Sequence, residues 1–305
     1  MRVSWGCLRR GSPREVTEIG ASEQQEDPRT AVAPGSATVS DSVATPRTTT
    51  TPDALTQPTN LRDVGGWSAG AGARVRCGQL WRSGKPSAPG NAAALAALGV
   101  RTVYDLRTGP ERTKAPDFLP AGCRHVVIDV LGAFPETASA ALRTIIGDPT
   151  AITSVLQEGD ADAIIDELYR GFVAFPSARA AYGALFRDLL EDEYRPALIH
   201  CNAGRDRTGW AVAALLTLLG VSRDDVLHDY LLSGAATGAG GGDAGAASES
   251  VLLPKLIAGV DECYLAAAFG EVRTRYGTIE RYFAGGLGID ARAQQQLREA
   301  LTEAM

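Results

Sequence analysis

The feature that most constrains the fold is a short apolar segment followed by a polar loop and an apolar helix. Ala197 to His200 is predicted to form a strand, and an uncharged helix from about Thr208 to Leu219 follows the loop and ends at Gly220. A strand without alternating polar residues is typically buried on both faces of a sheet. The segment therefore predicts a sheet that is covered by helices on both faces.

The same alternation of helices and buried strands continues on both sides of this segment. A helix from Asn91 to Leu98 is closed by Gly99, and Val100 to Leu106 follows as a strand. We also expect a strand over His125 to Val130, helices over Ala161 to Leu190, a helix from Ser222 to about Leu232, and a helical tail over Val251 to Met305 with breaks near Tyr276-Gly277 and Gly285-Gly286. The predicted fold class is α/β, with a central mostly parallel sheet flanked by helices and a helical C-terminal part.

Two biased stretches limit the folded part to one domain. Residues 1–55 contain scarcely any large apolar residue after Leu8, so they cannot bury enough surface to offset chain entropy and are predicted to be disordered. The remaining residues, 56–305, suit one α/β domain. Within it, residues 234–248 are so rich in Gly and Ala that we expect a flexible loop.

Charge, cysteine content and hydropathy exclude several classes of protein. The 305 residues include 30 Lys and Arg against 36 Asp and Glu, and the net charge of -6 argues against a general nucleic-acid binder. Five widely spaced cysteines without a C-x-x-C pair, and three histidines, suggest neither a disulfide framework nor a structural zinc site. No apolar run is long enough for a membrane span and no secretory signal is visible, so a cytoplasmic location is the default expectation, with export by another route left open.

The loop between the strand and the helix carries the chemistry. It reads His200-Cys201-Asn202-Ala203-Gly204-Arg205-Asp206-Arg207-Thr208-Gly209. Backbone N–H groups at a helix N-terminus, together with the helix dipole, form a site for an anion such as phosphate. The same field and two arginines favour a nucleophilic thiolate at Cys201, and the planar guanidinium of Arg207 can hold two phosphoryl oxygens. Gly204 is expected to let the backbone approach the phosphate closely.

By this signature, His-Cys, five residues, Arg, then Ser or Thr and Gly, the chain resembles the cysteine-dependent protein tyrosine phosphatases. The alternative, a buried Cys201 that merely packs, is disfavoured by the flanking motif residues and by the strand-loop-helix setting. A narrower resemblance, over about residues 56 to 305, is to the mycobacterial protein tyrosine phosphatase B group. It rests on Asn60 to Gly66 (NLRDVGG), Gly78 to Ser83 (GQLWRS), Asp105-Leu106-Arg107 with Glu111, and Asp229 to Ser233 (DYLLS).

The resemblance implies a role for each loop residue. Cys201 becomes the phosphocysteine nucleophile, Arg207 binds the phosphate, and Asp206 is the general acid and base. Thr208 donates a hydrogen bond to the sulfur and His200 orients the loop. The rest of the loop binds phosphate, and the upstream motifs supply supporting residues: Asn202, Ala203, Gly204 and Arg205 in the loop, and Arg62, Asp105 and Arg107 upstream. No metal or cofactor is implied, because the loop supplies the charge stabilisation.

The resemblance also implies the substrate class. Relatives hydrolyse phosphotyrosine, and some accept phosphoserine, phosphothreonine or phosphoinositides, so the expected partner is a phosphoprotein or a phosphoinositide. Their loop usually has Lys at the position of Arg205, which keeps the charge but changes its reach. A helical lid follows the loop region in relatives, and we expect residues 234–248 to replace or hinge part of it.

Several residues have a structural interpretation beside the functional one. Arg62, Arg82 and Arg107 either line the mouth of the site or form ion pairs that hold loop ends. In the second case the pairs would be Arg62 with Asp63 and Arg107 with Asp105. The tyrosines of the C-terminal half either pack its helices or reach the pocket wall: Tyr230, Tyr264, Tyr276 and Tyr282.

Two questions about the chemistry stay open. Most tyrosine phosphatases take the leaving-group proton from an aspartate on a mobile loop, and the candidates for that role are Asp117, Asp160, Asp162 and Asp166. We favour Asp206 because it is fixed in the loop beside Arg207.

A lipid phosphatase is the alternative activity. The alternative of another class is a phosphate-binding module that recognises phosphate without hydrolysing it.

Overall fold

The computed structural model describes residues 57–148, 151, 154–155, 160–235 and 260–305. In that part of the chain the strands are β1 (Arg62–Asp63), β2 (Ala73–Val75), β3 (Leu80–Ser83), β4 (Thr102–Asp105), β5 (Arg124–Val127), β6 (Ala197–His200) and β7 (Thr302–Ala304). Five of them form the central sheet in the order β1-β3-β6-β4-β5. β1 is antiparallel to β3 and the other neighbours are parallel, so the predicted mostly parallel sheet is confirmed.

Helices flank this sheet, as predicted. They are α1 (Asn91–Ala97), α2 (Gly109–Lys114), α3 (Ala140–Gly147), α4 (Ala161–Ala174), α5 (Pro176–Asp188), α6 (Asp206–Leu219), α7 (Arg223–Ala235), α8 (Glu262–Arg275) and α9 (Ala291–Leu301). Pro176 is the first residue of α5 and splits the 161–190 region into two helices, because its ring fixes the backbone angle and removes one N–H donor.

Alternate side chains of the central strands enter two apolar clusters. Trp81, Val103 and Leu198 pack with Leu95 of α1 on one face of the sheet. Their neighbours along the strands, such as Tyr104, enter the larger cluster with α4, α5, α6 and α8 on the other face. This alternation follows from the pleat of a strand, which sends successive side chains to opposite faces.

Helix α6 lies inside the larger cluster and carries the loop that precedes it. Trp210 is fully buried in this helix and contacts Phe269 and Tyr282 from the C-terminal helices. Gly220 ends the helix with a positive φ of 92°, as its position at the end of the apolar run predicts. The helix is thus held on several sides, which gives the preceding loop a rigid support.

A two-stranded antiparallel ribbon joins distant parts of the chain. Ala73 of β2 pairs with Ala304 of β7, and the exposed Arg74 bonds Glu303 with 2.8 Å between Nε and Oε1. Neither strand is predicted from the sequence, since segments of three residues show no periodicity. The predicted tail breaks are present: Tyr276 ends α8, and Gly285 and Gly286 lie in a π-helical turn.

Two predicted strands are shorter in the structure. The 100–106 segment is a strand only over Thr102–Asp105, and the 125–130 segment is replaced by Arg124–Val127. Both differ because β4 pairs with β5 over four residues only, from Thr102 opposite Arg124 to Asp105 opposite Val127. The chain beyond Val127 is apolar but leaves the sheet.

The predicted disordered segment, residues 1–55, and most of the predicted loop over residues 234–248 lie outside the described residues. These parts of the domain division therefore stay predictions. Among the helices that the structure describes, none is both long enough and apolar enough to cross a membrane.

Candidate active site

Cys201 lies at the carboxyl end of β6, the middle strand of the central sheet. Its side chain is buried, and β3 and β4 flank its strand in parallel register, with Ser83 and Asp105 each opposite His200. In parallel sheets ligands bind at the carboxyl ends of the strands, where loops and helix N-termini converge. The loop of residues 201–205 and the start of α6 at Asp206 meet at this edge, as the sequence predicts.

The 201–205 loop depends on a glycine at position 204. Gly204 has a φ of +67°, and a Cβ atom there would lie 2.2 Å from the carbonyl oxygen of Ser83. Glycine is therefore required by the contact with β3 and by the left-handed backbone, a different reason from the predicted approach of phosphate.

Donor groups from β3 and from the segments next to β1 and β3 bind the carbonyl groups of this loop. Asn60 donates from Nδ2 to the carbonyls of Ala203 and Gly204 at 3.2 and 3.0 Å. Arg82 donates from Nη2 to the carbonyl of Gly204 at 2.8 Å, and the backbone N–H of Lys85 donates to the carbonyl of Asn202 at 3.0 Å. Because N–H and C=O point in opposite directions in a planar trans peptide, the N–H groups of these peptides turn the other way, and successive N–H groups of this kind can bind an anion.

Arg82 and Arg62 are bound to an aspartate of α7. Asp229 accepts from Nε of Arg62 at 3.1 Å and also pairs with Nη1 of Arg82, and Ser233 accepts from both arginines at 2.9 and 3.1 Å. Burial and the neighbouring Arg82 lower the pKa of Arg62 to about 10, against the opposing effect of Asp229. Burial would raise the pKa of Asp229, but the two arginines lower it below its usual value.

This arrangement decides between the two interpretations of these arginines. Arg82 is fully buried and does not line a pocket mouth. The expected pair between Arg62 and Asp63 is wrong in its partner: Arg62 binds Asp229, while Asp63 accepts from the backbone N–H groups of Gly65 and Gly78 at 2.8 and 2.6 Å. Asp229 and Ser233 thus hold Arg82, which in turn binds the carbonyl of Gly204 in the loop.

Arg207 lies in the first turn of α6 and pairs with Glu111 of α2. Both Nη atoms donate to the carboxylate at 2.7 Å, and the two side chains are each 11% exposed. Glu111 also accepts from Thr108, whose N–H and hydroxyl lie 2.9 and 3.1 Å away in a capping box. Although burial raises the pKa of Glu111, its hydrogen bonds and attraction to Arg207 lower it to about 2.

Glu111 is a residue of the candidate site to which the sequence assigns no role. Its place in the motif with Asp105 and Arg107 and its capping-box spacing from Thr108 are the signals that point to it. Nη1 of Arg207 also donates to the carbonyl oxygen of Leu106 at 3.5 Å. The N–H donors that remain can face a ligand, in an orientation that the carboxylate holds fixed.

Asp206 is connected to two buried tyrosines. Its Oδ1 accepts a hydrogen bond from the hydroxyl of Tyr169 in α4 at 2.8 Å, and that hydroxyl lies 2.6 Å from the hydroxyl of Tyr230 in α7. Burial, followed by the charge of Asp206, raises the pKa of both phenols well above the usual value. Its Oδ2 lies 3.4 Å from Nε of Arg205, so both carboxylate oxygens have fixed neighbours. Nothing in the sequence pattern points to Tyr169.

Two other predicted loop residues have partly defined partners. His200 is buried and its Nδ1 lies 3.2 Å from the carbonyl oxygen of Cys201. The hydroxyl of Thr208 is buried and has no hydrogen-bond partner in the parts of the chain that the structure describes. Its predicted hydrogen bond to the sulfur of Cys201 stays a prediction.

Asp105 and Arg107 form the ion pair that the sequence suggests. Arg107 donates from Nε and Nη2 to the two carboxylate oxygens at 2.8 and 2.7 Å, and both side chains are buried. The same Nη2 lies 2.7 Å from Asp117, whose side chain is 1% exposed. The carboxylate of Asp117 lies 3.2 Å from Nε2 of His200 and is buried. It is therefore not exposed to solvent as the acid of a mobile loop would be.

The amino-acid sequence is similar to a family of known proteins. A family model described as "Tyrosine phosphatase family" matches residues 54–303. A protein of Cupriavidus necator named as a tyrosine-protein phosphatase is 32% identical over 247 residues, covering 76% of this chain and 82% of the relative. The triple specificity protein phosphatase PtpB of Mycobacterium tuberculosis is 34% identical, covering 57% of this chain and 66% of that protein. A tyrosine-protein phosphatase of Nostoc commune is 26% identical, covering 69% of each chain.

Proposed function

Because the chain belongs to the tyrosine phosphatase family, we propose that it hydrolyses phosphotyrosine in proteins through a phosphocysteine intermediate on Cys201. The single observation that supports this mechanism is the position of Cys201 directly after β6, in the loop that leads to the N-terminus of α6. An anion bound there places its phosphorus within reach of the sulfur.

In the first step the sulfur of Cys201 attacks phosphorus and the bond between phosphorus and the tyrosyl oxygen breaks. Asp206 gives its proton to the leaving oxygen, so the products are phosphocysteine and neutral tyrosine. In the second step Asp206 takes a proton from water as the water oxygen attacks phosphorus. The S–P bond then breaks, which returns the thiolate and releases inorganic phosphate.

Arg207 stabilises the charge that spreads over the phosphoryl oxygens. Glu111 occupies both Nη atoms on one side of the guanidinium, and the other N–H donors are left for two oxygens of the phosphoryl group. The pair with Glu111 fixes the guanidinium before substrate arrives, so less conformational entropy is lost on binding.

A broad phosphomonoesterase activity is the finer part of this proposal. The relative PtpB is named a triple specificity phosphatase, which supports activity on phosphotyrosine, phosphoserine and phosphothreonine, with phosphoinositides as the alternative substrate. The loop also carries a second cation, Arg205, whose side chain is 12% exposed beside Asp206. Turnover of phosphotyrosyl, phosphoseryl and phosphothreonyl versions of one peptide, alongside a phosphoinositide, ranks these substrates.

A phosphate-binding module without turnover is the competing function. Retention of Cys201, Asp206 and Arg207 favours the enzyme. The deciding experiment traps labelled phosphoenzyme by acid quench from the full chain, with Cys123→Ser as the matched control because Cys123 is a free cysteine outside the loop. Wild type and Cys123→Ser should retain label and turnover, and Cys201→Ser should lose both while still binding substrate. Turnover in Cys201→Ser, or no turnover in wild type, would overturn the mechanism.

A further inference from the structure

A second cluster of ionisable side chains lies at the start of the 201–205 loop, next to Cys201 in the chain. It consists of Asp105 at the end of β4, His200 at the end of β6, His125 in β5 and Asp117 in the segment after α2. The sheet brings the first three together, because Asp105 pairs with His200 and Val103 pairs with His125 in parallel register. One ligand atom from each side chain lies within 4.8 Å of all the others.

The distances within this cluster resemble the edges of a tetrahedral metal site. Nε2 of His200 and Nε2 of His125 lie 3.2 and 3.4 Å from Oδ2 of Asp117. Nε2 of His200 lies 3.9 Å from Oδ1 of Asp105, and Nε2 of His125 lies 3.8 Å from Oδ2 of the same carboxylate. Metal–ligand bonds of about 2.0–2.1 Å to imidazole nitrogen and carboxylate oxygen imply tetrahedral edges of about 3.4 Å. Small side-chain rotations would therefore place all four atoms around one ion.

Two buried polar atoms of the cluster lack a hydrogen-bond partner among the residues that the structure describes. They are Nε2 of His200 and Oδ2 of Asp117, whose side chains are 0% and 1% exposed. Oδ1 of Asp117 lies 2.7 Å from Nη2 of Arg107. Nδ1 of His200 faces the carbonyl of Cys201, which can only accept, so Nδ1 carries the hydrogen of the neutral ring. Nε2 then directs a lone pair towards the carboxylate of Asp117, and two such groups in contact require a cation or a proton between them.

The ring of His200 is also held as a metal ligand is commonly held. Histidines that bind metals usually donate their other N–H to a carbonyl or carboxylate, which fixes the tautomer and the orientation of the ring. The contact between Nδ1 and the carbonyl of Cys201 at 3.2 Å has this arrangement.

The charge of the cluster favours a cation as well. Two carboxylates face one guanidinium, that of Arg107, which binds both oxygens of Asp105 and approaches only Oδ1 of Asp117. With neutral imidazoles the cluster keeps one negative charge, and Oδ2 of Asp117 remains available. A proton competes for this place, because Asp105 and Asp117 raise the pKa of His125 to about 9 against the effect of burial.

We propose that Asp105, Asp117, His125 and His200 form a binding site for a divalent transition metal of the zinc type. Two imidazoles and two carboxylates are a donor set that suits Zn²⁺ better than Mg²⁺ or Ca²⁺, which prefer oxygen ligands only. His125 is 37% exposed and gives the ion a path from solvent, while the other three ligands are buried. The ion would brace His200 against Asp117 and so stiffen the start of the loop that carries Cys201.

Cobalt(II) tests the proposal, because it replaces zinc and absorbs strongly in the visible range when tetrahedral. The titration uses the full chain with Cys201→Ser, which removes the loop thiol as a competing ligand and makes the result independent of the phosphatase mechanism. We expect one cobalt ion per chain with a tetrahedral spectrum that Zn²⁺ displaces. The variant His125→Gln should weaken binding by more than about 100-fold, since loss of a second-shell partner alone costs about 10–100-fold.

The control variant is His228→Gln, which removes an exposed histidine of α7 that contacts Trp67 and lies outside the cluster. It should bind cobalt like the parent. Asp117→Asn is a second ligand variant, and a thermal melt of each protein without metal shows whether it folds. No tetrahedral cobalt spectrum in the parent, or binding that His125→Gln and Asp117→Asn leave unchanged in folded protein, would overturn the proposal in favour of a proton-filled cluster.

Discussion

The substitution Glu111→Gln tests how far the Arg207 guanidinium must be fixed before substrate binds. Gln keeps the size of the side chain and one acceptor oxygen but removes the charge and the two-fold pairing at 2.7 Å. A hydrogen bond to a charged group contributes about 1.5–3 kcal/mol, and 1.36 kcal/mol corresponds to a tenfold change in rate. We therefore expect kcat/KM for an aryl phosphate to fall by about 10- to 150-fold.

The assay combines turnover with inhibition by vanadate, an oxyanion that adopts the geometry of the transferred phosphoryl group. Vanadate should bind more weakly in Glu111→Gln by a similar factor, because both ligands depend on the same guanidinium. The matched control is Glu193→Gln, whose carboxylate is 68% exposed and lies 3.5 Å from Arg124 at the surface. Turnover of Glu111→Gln within about twofold of wild type, with Arg207→Lys strongly impaired, would refute this role of Glu111.

The pH dependence of this pair has a definite sign. The pKa of Glu111 is lowered to about 2, so the stabilisation that the pair contributes is complete above the ordinary glutamate range and is lost only as the pH falls towards 2. Loss of activity between neutral pH and about pH 5 must then come from other groups, and Glu111→Gln should leave that part of the pH profile unchanged in shape.

Three further substitutions address the other parts of the site. Asp206→Asn should lower kcat by about 10² to 10⁴, with the larger loss for a phosphotyrosyl peptide than for an aryl phosphate with an acidic leaving group; equal losses would argue against general acid catalysis. Tyr169→Phe should lower kcat about tenfold with the same dependence on the leaving group, since it removes a hydrogen bond to a carboxylate, and steady-state kinetics on both substrates would show it. Gly204→Ala should lower the free energy of unfolding, measured in urea, by more than Gly122→Ala does. Both glycines have positive φ, but only at position 204 would the new Cβ atom contact Ser83. An equal fall of about 1–2 kcal/mol in the free energy of unfolding of both variants would contradict the importance of that contact.

The parts of the site that the sequence predicts are those formed by neighbouring residues. The strand Ala197–His200 has the predicted bounds, and α6 begins two residues before the predicted Thr208. The spacing of neighbouring residues is enough to predict a strand of apolar residues, a loop, and an apolar helix ended by glycine.

The parts that the sequence does not predict are formed by residues far apart in the chain. Glu111 pairs with Arg207 across 96 positions, and Arg82 binds Asp229 across 147. Tyr169 lies in a helix whose apolar face predicts burial and gives no sign of its hydroxyl contact with Asp206. Such pairs depend on the order of strands in the sheet and on the packing of helices, which periodicity within a segment does not contain.

The β2–β7 ribbon has a consequence for the order in which the chain folds. Arg74 and Glu303 are 229 positions apart, and closing a loop of that length costs about 5 kcal/mol of chain entropy if nothing in between is ordered. β6 is the last strand of the central sheet in the sequence, so the sheet can form before the ribbon pairs. The ordered sheet then shortens the loop that the ribbon must close. During vectorial synthesis the 201–205 loop can therefore gain its contacts with Asn60 and Arg82 before β7, the partner strand of residues 73–75, has been synthesised.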